Sequence, residues 1–209
     1  MNQKSRYAVM TSSEAHLLFT FLVTAYFFSF FFRVSASVVL PSEASRLGLS
    51  ASLTGIISGF YYYAYALMQP FSGILHDRFG PLRVVACGML LTGLAQAVYV
   101  FWPTTSGLAL WRLMTGLGLA PMFSGALVYQ AGAFPKEKYA FYSGLTVAAG
   151  NLGAVVSVAP LGTALDLWGQ RPVFVVLAGL SIAMALLLAG FRGKDPVGHS
   201  HHGAEGRLL

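Results

Sequence analysis

Six stretches of this chain are each apolar over about the length a helix needs to cross a hydrocarbon core, and no gap between them is long enough to fold by itself. They cover residues 17–40, 53–75, 84–101, 108–133, 141–161 and 172–191. The breaks carry turn and charge signals: Pro41-Ser42-Glu43, Asp77 to Pro81, Trp102-Pro103, Phe134 to Lys138, and Asp166 to Arg171. Such short connections make each helix antiparallel to the next. The expected fold class is an all-α membrane protein of six transmembrane helices. Residues 1–16 form an N-terminal segment, 17–191 the bundle and 192–209 a polar tail. The first run exceeds a signal-peptide core, and Phe dominates where small cleavage-site residues would be needed, so it is expected to stay in the membrane.

Only 10% of the residues are charged, against roughly 25% in soluble domains. The net charge of +6 does not point to nucleic acid, because the basic residues form no patch among aromatics. Their positions read instead as an orientation signal. With a cytoplasmic N-terminus, Lys4, Arg6, Arg78, Arg83, Lys136, Lys138, Arg192, Lys194 and Arg207 lie inside, and only Arg46 and Arg171 lie outside. Both termini are therefore expected in the cytoplasm. Cys87 is the single cysteine, so no intrachain disulfide can form. The tail histidines His199, His201 and His202 lack a carboxylate or cysteine to complete a metal site. No catalytic motif stands out, and neither an enzyme nor a cofactor is expected.

The remaining arginines, Arg33 and Arg112, fall inside apolar runs. Arg33 lies about ten residues before the expected outer end of the first helix, or about 12–15 Å below the interface. The acidic residues Glu14, Glu43, Asp77, Glu137 and Asp166 are all expected at ends or in loops. A midplane arginine without an acid asks for a water-filled cavity and an anion, or for helix carbonyls or an acid from elsewhere. Its planar fork of donors suits carboxylate or phosphate. Tyr65 and Gln69 share a face of the second helix with Tyr61, and Asn151 is a polar residue in an apolar run that suits either cavity lining or a bridge between helices.

The loop Gly73-Ile74-Leu75-His76-Asp77-Arg78-Phe79-Gly80-Pro81-Leu82-Arg83 resembles the signature between helices two and three of major facilitator superfamily transporters. Arg112-Leu113-Met114-Thr115-Gly116-Leu117-Gly118 resembles their fourth-helix pattern. The resemblance spans 17–191 and implies the N-terminal half of a twelve-helix fold. It assigns Gly73, Asp77, Arg78, Gly80, Arg83 and Arg112 to a conformational latch, with Gly73 allowing close helix contact. More narrowly, Arg33 to Pro41 is similar in spacing to the first helix of organophosphate/phosphate antiporters, and Tyr26 and Tyr65 match their cavity positions. Three positions depart from that pattern: Gln69, Asn151 after Gly150, and Val34 are less basic than their counterparts. A less charged or larger organic anion is then favoured over inorganic phosphate.

The expected function is half of a secondary transporter, antiporter or symporter, for an organophosphate or carboxylate in a bacterial inner membrane. Its partners are the small anion, the lipid membrane and a second six-helix half, supplied by another chain or by a second copy. The competing expectation is a truncated fragment or a non-transporting membrane subunit.

Overall fold

The computed structural model describes residues 11–191. The basic residues Lys4, Arg6, Arg192, Lys194 and Arg207, the histidine-containing tail and most of the N-terminal segment lie outside them. Eight α-helices follow in order: α1 (Ser12–Leu47), α2 (Ala51–Phe79), α3 (Pro81–Phe101), α4 (Thr105–Leu119), α5 (Met122–Ala133), α6 (Tyr139–Val156), α7 (Ala159–Trp168) and α8 (Gln170–Gly190). They make six passes, because α4 with α5, and α6 with α7, are broken halves of one pass each. By length and composition, α1, α3, the stretch Lys136–Trp168 and α8 can each cross a membrane. The other two passes are the tyrosine-bearing α2 and the divided α4–α5 pair.

Three boundaries differ from those read in the sequence. First, α1 does not end at Pro41. It continues to Leu47 and stops at Gly48, whose left-handed φ of 64° lets the amides of Gly48 and Leu49 turn back onto Ser45 and Ala44. Glu43 therefore lies within a helix, buried, and not in a loop. Second, pass four divides at Ala120–Pro121, since proline has no amide to continue the ladder. Third, pass five divides at Ser157–Val158, just before Pro160. The turn between α2 and α3 is Gly80 alone, at φ 87°, a conformation that disfavours any side chain.

Lipid gives helices no hydrophobic reason to associate, so packing depends on close backbone approach and polar contacts. At Gly116, a Cβ would overlap the Tyr61 carbonyl, so α4 and α2 touch backbone to backbone there. Gly153 on α6 does the same against the Phe27 carbonyl on α1, and Gly150 admits the Tyr26 ring, so these two glycines of the fifth pass serve packing, while a side chain at Gly144 would meet nothing within 4 Å. A side chain at Gly73 would meet nothing within 4 Å, so the close contact expected there is not made within this bundle.

The break in pass four exposes carbonyls that must find donors. Ser29 Oγ on α1 donates to Leu119 O at 3.5 Å. From α2, Gln69 Nε2 donates to Ala120 O at 3.4 Å and His76 Nε2 to Pro121 O at 3.0 Å. His76 also lies 3.0 Å from Ser124 Oγ and is fully buried.

Candidate functional site

Arg33 is half-buried on α1, fourteen residues before the helix ends. At 1.5 Å per residue this places it about 21 Å from the C-terminal tip of α1, inside that helix's middle third. Its guanidinium carbon sits 4.9 Å from the Phe30 ring centroid and 5.2 Å from that of Tyr65 on α2. These are cation–π distances, so aromatic faces take part of the charge. Nε is buried without a hydrogen-bond partner, and no carboxylate pairs with Arg33 among the described residues. The side chain borders a cavity of about 470 Å³ between α1 and α2, which also touches Ser37, Thr54, Ser58 and Tyr62. That volume suits a small organic molecule.

A second hollow, of about 430 Å³, lies between α2, α3 and α4 against Met68, Leu75, Val84, Cys87 and Leu91. Apart from Arg83 its walls are apolar, so the Arg33 cavity is the candidate for a polar ligand.

The fold brings some expected site residues together and separates others. Tyr26 is buried on α1 between Phe30 and Phe123, at 5.2 and 5.0 Å, one turn or more from Arg33. Tyr65 stacks on Tyr61 at 5.9 Å and faces Arg33. Gln69 is bound to the pass-four break and makes no hydrogen bond to Arg33. Asn151 is exposed on α6, beside the glycine that packs on Tyr26, with no hydrogen bond to the other candidates among the described residues. The latch candidates Asp77 and Arg78 are exposed at the end of α2, where Arg78 lies 5.2 Å from the Phe79 ring. Arg83 is half-buried at the start of α3.

Arg112 is far from that latch loop. It is fully buried on α4, not reaching toward a membrane surface. Its guanidinium carbon lies 4.6 Å from the Tyr61 centroid and 5.5 Å from that of Trp111. Nη2 donates to Ser58 O at 3.3 Å, while Nε and Nη1 have no partner. Sequence reasoning placed Tyr61 beside Tyr65 but missed its position between the two arginines. Its hydroxyl is buried without a hydrogen-bond partner among the described residues. Helical spacing could have shown the shared face, but not the α4 backbone that approaches it at Gly116.

Comparison with known proteins adds family context to this geometry. The profile described as Major Facilitator Superfamily matches residues 22–208. The probable sulfoacetate transporter of Cupriavidus necator is 28% identical over 185 residues, covering 88% of this chain and 43% of that protein. A putative tartrate transporter of Agrobacterium vitis is 25% identical over 183 residues, covering 84% of this chain and 40% of its own. The probable chloroplastic anion transporter 3 of Arabidopsis thaliana is 28% identical over 152 residues, with 72% and 30% covered. The chain thus spans about two-fifths of the length of the first two relatives. Among solved structures, a mutant of the peptide transporter POT in complex with alafosfalin superimposes with a TM-score of 0.76 at 18% identity. It covers 94% of this chain and 43% of its own, a likeness of fold alone.

Proposed function

Since the chain belongs to the major facilitator superfamily, we propose that it forms one half of a secondary transporter that moves a small organic anion by alternating access, with Arg33 holding the anion. The carrying observation is Arg33 itself. It is a half-buried arginine in the middle third of a spanning helix, braced by Phe30 and Tyr65, without a carboxylate partner and open to a cavity. Such a charge is costly in a membrane interior unless water or an anion meets it. The names of the relatives, sulfoacetate, tartrate and anion transporters, are consistent with an anionic substrate.

A second set of six helices completes the cavity. In this fold substrates lie between two such halves, and the relatives are more than twice as long as this chain. The junction of α2 and α3, from Gly73 through the exposed Asp77 and Arg78 to Gly80 and Arg83, then latches the halves on the cytoplasmic side. Both termini are cytoplasmic in a bacterial inner membrane, on the strength of the basic residues' distribution. A cysteine placed at Lys136 tests this: an impermeant thiol reagent added outside intact cells should leave it unlabelled, and labelling would reverse the orientation.

The anion reading is tested by equilibrium binding to the assembled transporter across organic phosphates, carboxylates and neutral sugars. Arg33→Lys keeps the charge but loses the planar fork, and should weaken anion binding about tenfold or more. Arg33→Gln should weaken it further. Preference for a neutral or cationic ligand would refute the reading.

A further inference from the structure

From the cluster around Tyr61 we propose that Arg112 is a second anion contact, screened by the Tyr61 ring, and that it gives the site a preference for substrates carrying two anionic groups. The inference rests on the anion reading of Arg33 and extends it to a substrate class.

Three polar groups converge on the stacked rings of Tyr61 and Tyr65, and each is incompletely satisfied. Tyr61 is fully buried, and its hydroxyl lacks a hydrogen-bond partner. Arg33 lies over the Tyr65 ring that stacks on Tyr61, with its Nε unpartnered. Arg112 lies over the face of the Tyr61 ring with Nε and Nη1 unpartnered and a single bond, to Ser58 O. Two guanidiniums can only donate, and the phenol has a proton to give. A cluster dominated by donors is best satisfied by an acceptor-rich group of negative charge. No carboxylate of the described residues pairs with either arginine.

The cavity beside Arg33 stops short of Arg112, which does not line it. Its wall includes Ser58, whose carbonyl Arg112 holds, and Tyr62, the neighbour of Tyr61. The backbone of α4 cannot retreat from Tyr61, because Gly116 is already against the Tyr61 carbonyl. A group reaching the Arg112 guanidinium from the cavity would then have to displace the Tyr61 side chain rather than the α4 backbone. A substrate with one anionic group on Arg33 and a second displacing the Tyr61 ring would supply the acceptors that Arg112 lacks. The cation that Val34 and Gln69 fail to provide would then come from α4.

The test measures binding of matched dianion and monoanion pairs to the full transporter: tartrate against threonate, which share a four-carbon hydroxylated chain, and succinate against butyrate. We expect the dianion of at least one pair to bind about tenfold tighter, the value of one charge-assisted hydrogen bond. Arg112→Gln should bring that ratio near unity, while Arg112→Lys should keep part of it. Tyr61→Phe, which retains the ring and removes only the hydroxyl, should lower the ratio and covers the case in which Arg112→Gln fails to fold. No dianion preference in either pair overturns the proposal, as does a ratio that survives both Arg112→Gln and Tyr61→Phe. Loss of assembly in Arg112→Gln together with an unchanged ratio in Tyr61→Phe also overturns it, and assigns Arg112 to an acid of the second half. Indifference of both anions to Arg33→Gln would instead remove the underlying anion reading.

Discussion

Arg46 and the pair Arg33 and Arg112 carry the same group in opposite circumstances. Near the C-terminal end of α1, Arg46 Nε donates to Glu43 Oε2 at 2.9 Å, with Nη2 also on that oxygen. Nη2 further reaches Tyr99 Oη at 3.3 Å and Pro103 O at 3.0 Å. The Tyr99 hydroxyl donates to Glu43 as well. One buried carboxylate thus ties the end of α1 to α3 and to the turn before α4. In the interior the two arginines have ring faces and one carbonyl between them. Buried polar groups in folded proteins are nearly always satisfied, and the exceptions call for a reason. The contrast is between a charged network completed within the bundle and two interior arginines that keep open donors, as Gln96 Nε2 and Ser181 Oγ also do.

Removing the satisfied network should therefore have the largest effect on stability. Glu43→Ala leaves the buried Tyr99 hydroxyl and part of Arg46 without an acceptor, a loss of roughly 1–3 kcal/mol. Thermal unfolding of the purified protein in detergent checks it. An unchanged midpoint would mean that water replaces the carboxylate and that the C-terminal end of α1 is no more tightly built than the middle. A smaller effect is expected at the pass-four break. His76→Ala removes the donor to Pro121 O, a typical hydrogen bond of about 1 kcal/mol. A cost near that of Glu43→Ala would make the break, and not the Glu43 network, the principal polar tie.

The six passes were legible because apolar runs of spanning length have no other use in so short a chain. Their interruptions were not. Pro41 reads as a stop, yet α1 passes it and ends at Gly48, where a left-handed residue can cap the helix. Pro121 reads as part of a continuous run, yet it divides the pass because donors from α1 and α2 are positioned to take the freed carbonyls. Both outcomes depend on what lies opposite, which local sequence does not carry. In the same way Arg33 could be singled out from depth and the lack of acids. Gln69 could not be assigned from its helical face, since its donor serves Ala120 O. Arg112 could be placed inside an apolar run, but not sealed behind Tyr61 and Trp111, far from the latch residues the resemblance groups it with.

The smallest stability effect belongs to Arg33→Gln, because no ion pair is lost and the loss of two ring contacts is offset as a charge leaves the membrane interior. The most direct test is to measure, on one preparation of that variant in the assembled transporter, both its unfolding midpoint and its affinity for the wild type's best organic anion. The expected result is a midpoint equal to or above that of the wild type, with affinity reduced at least about tenfold. A lowered midpoint with unchanged affinity would make Arg33 a structural residue and contradict the account.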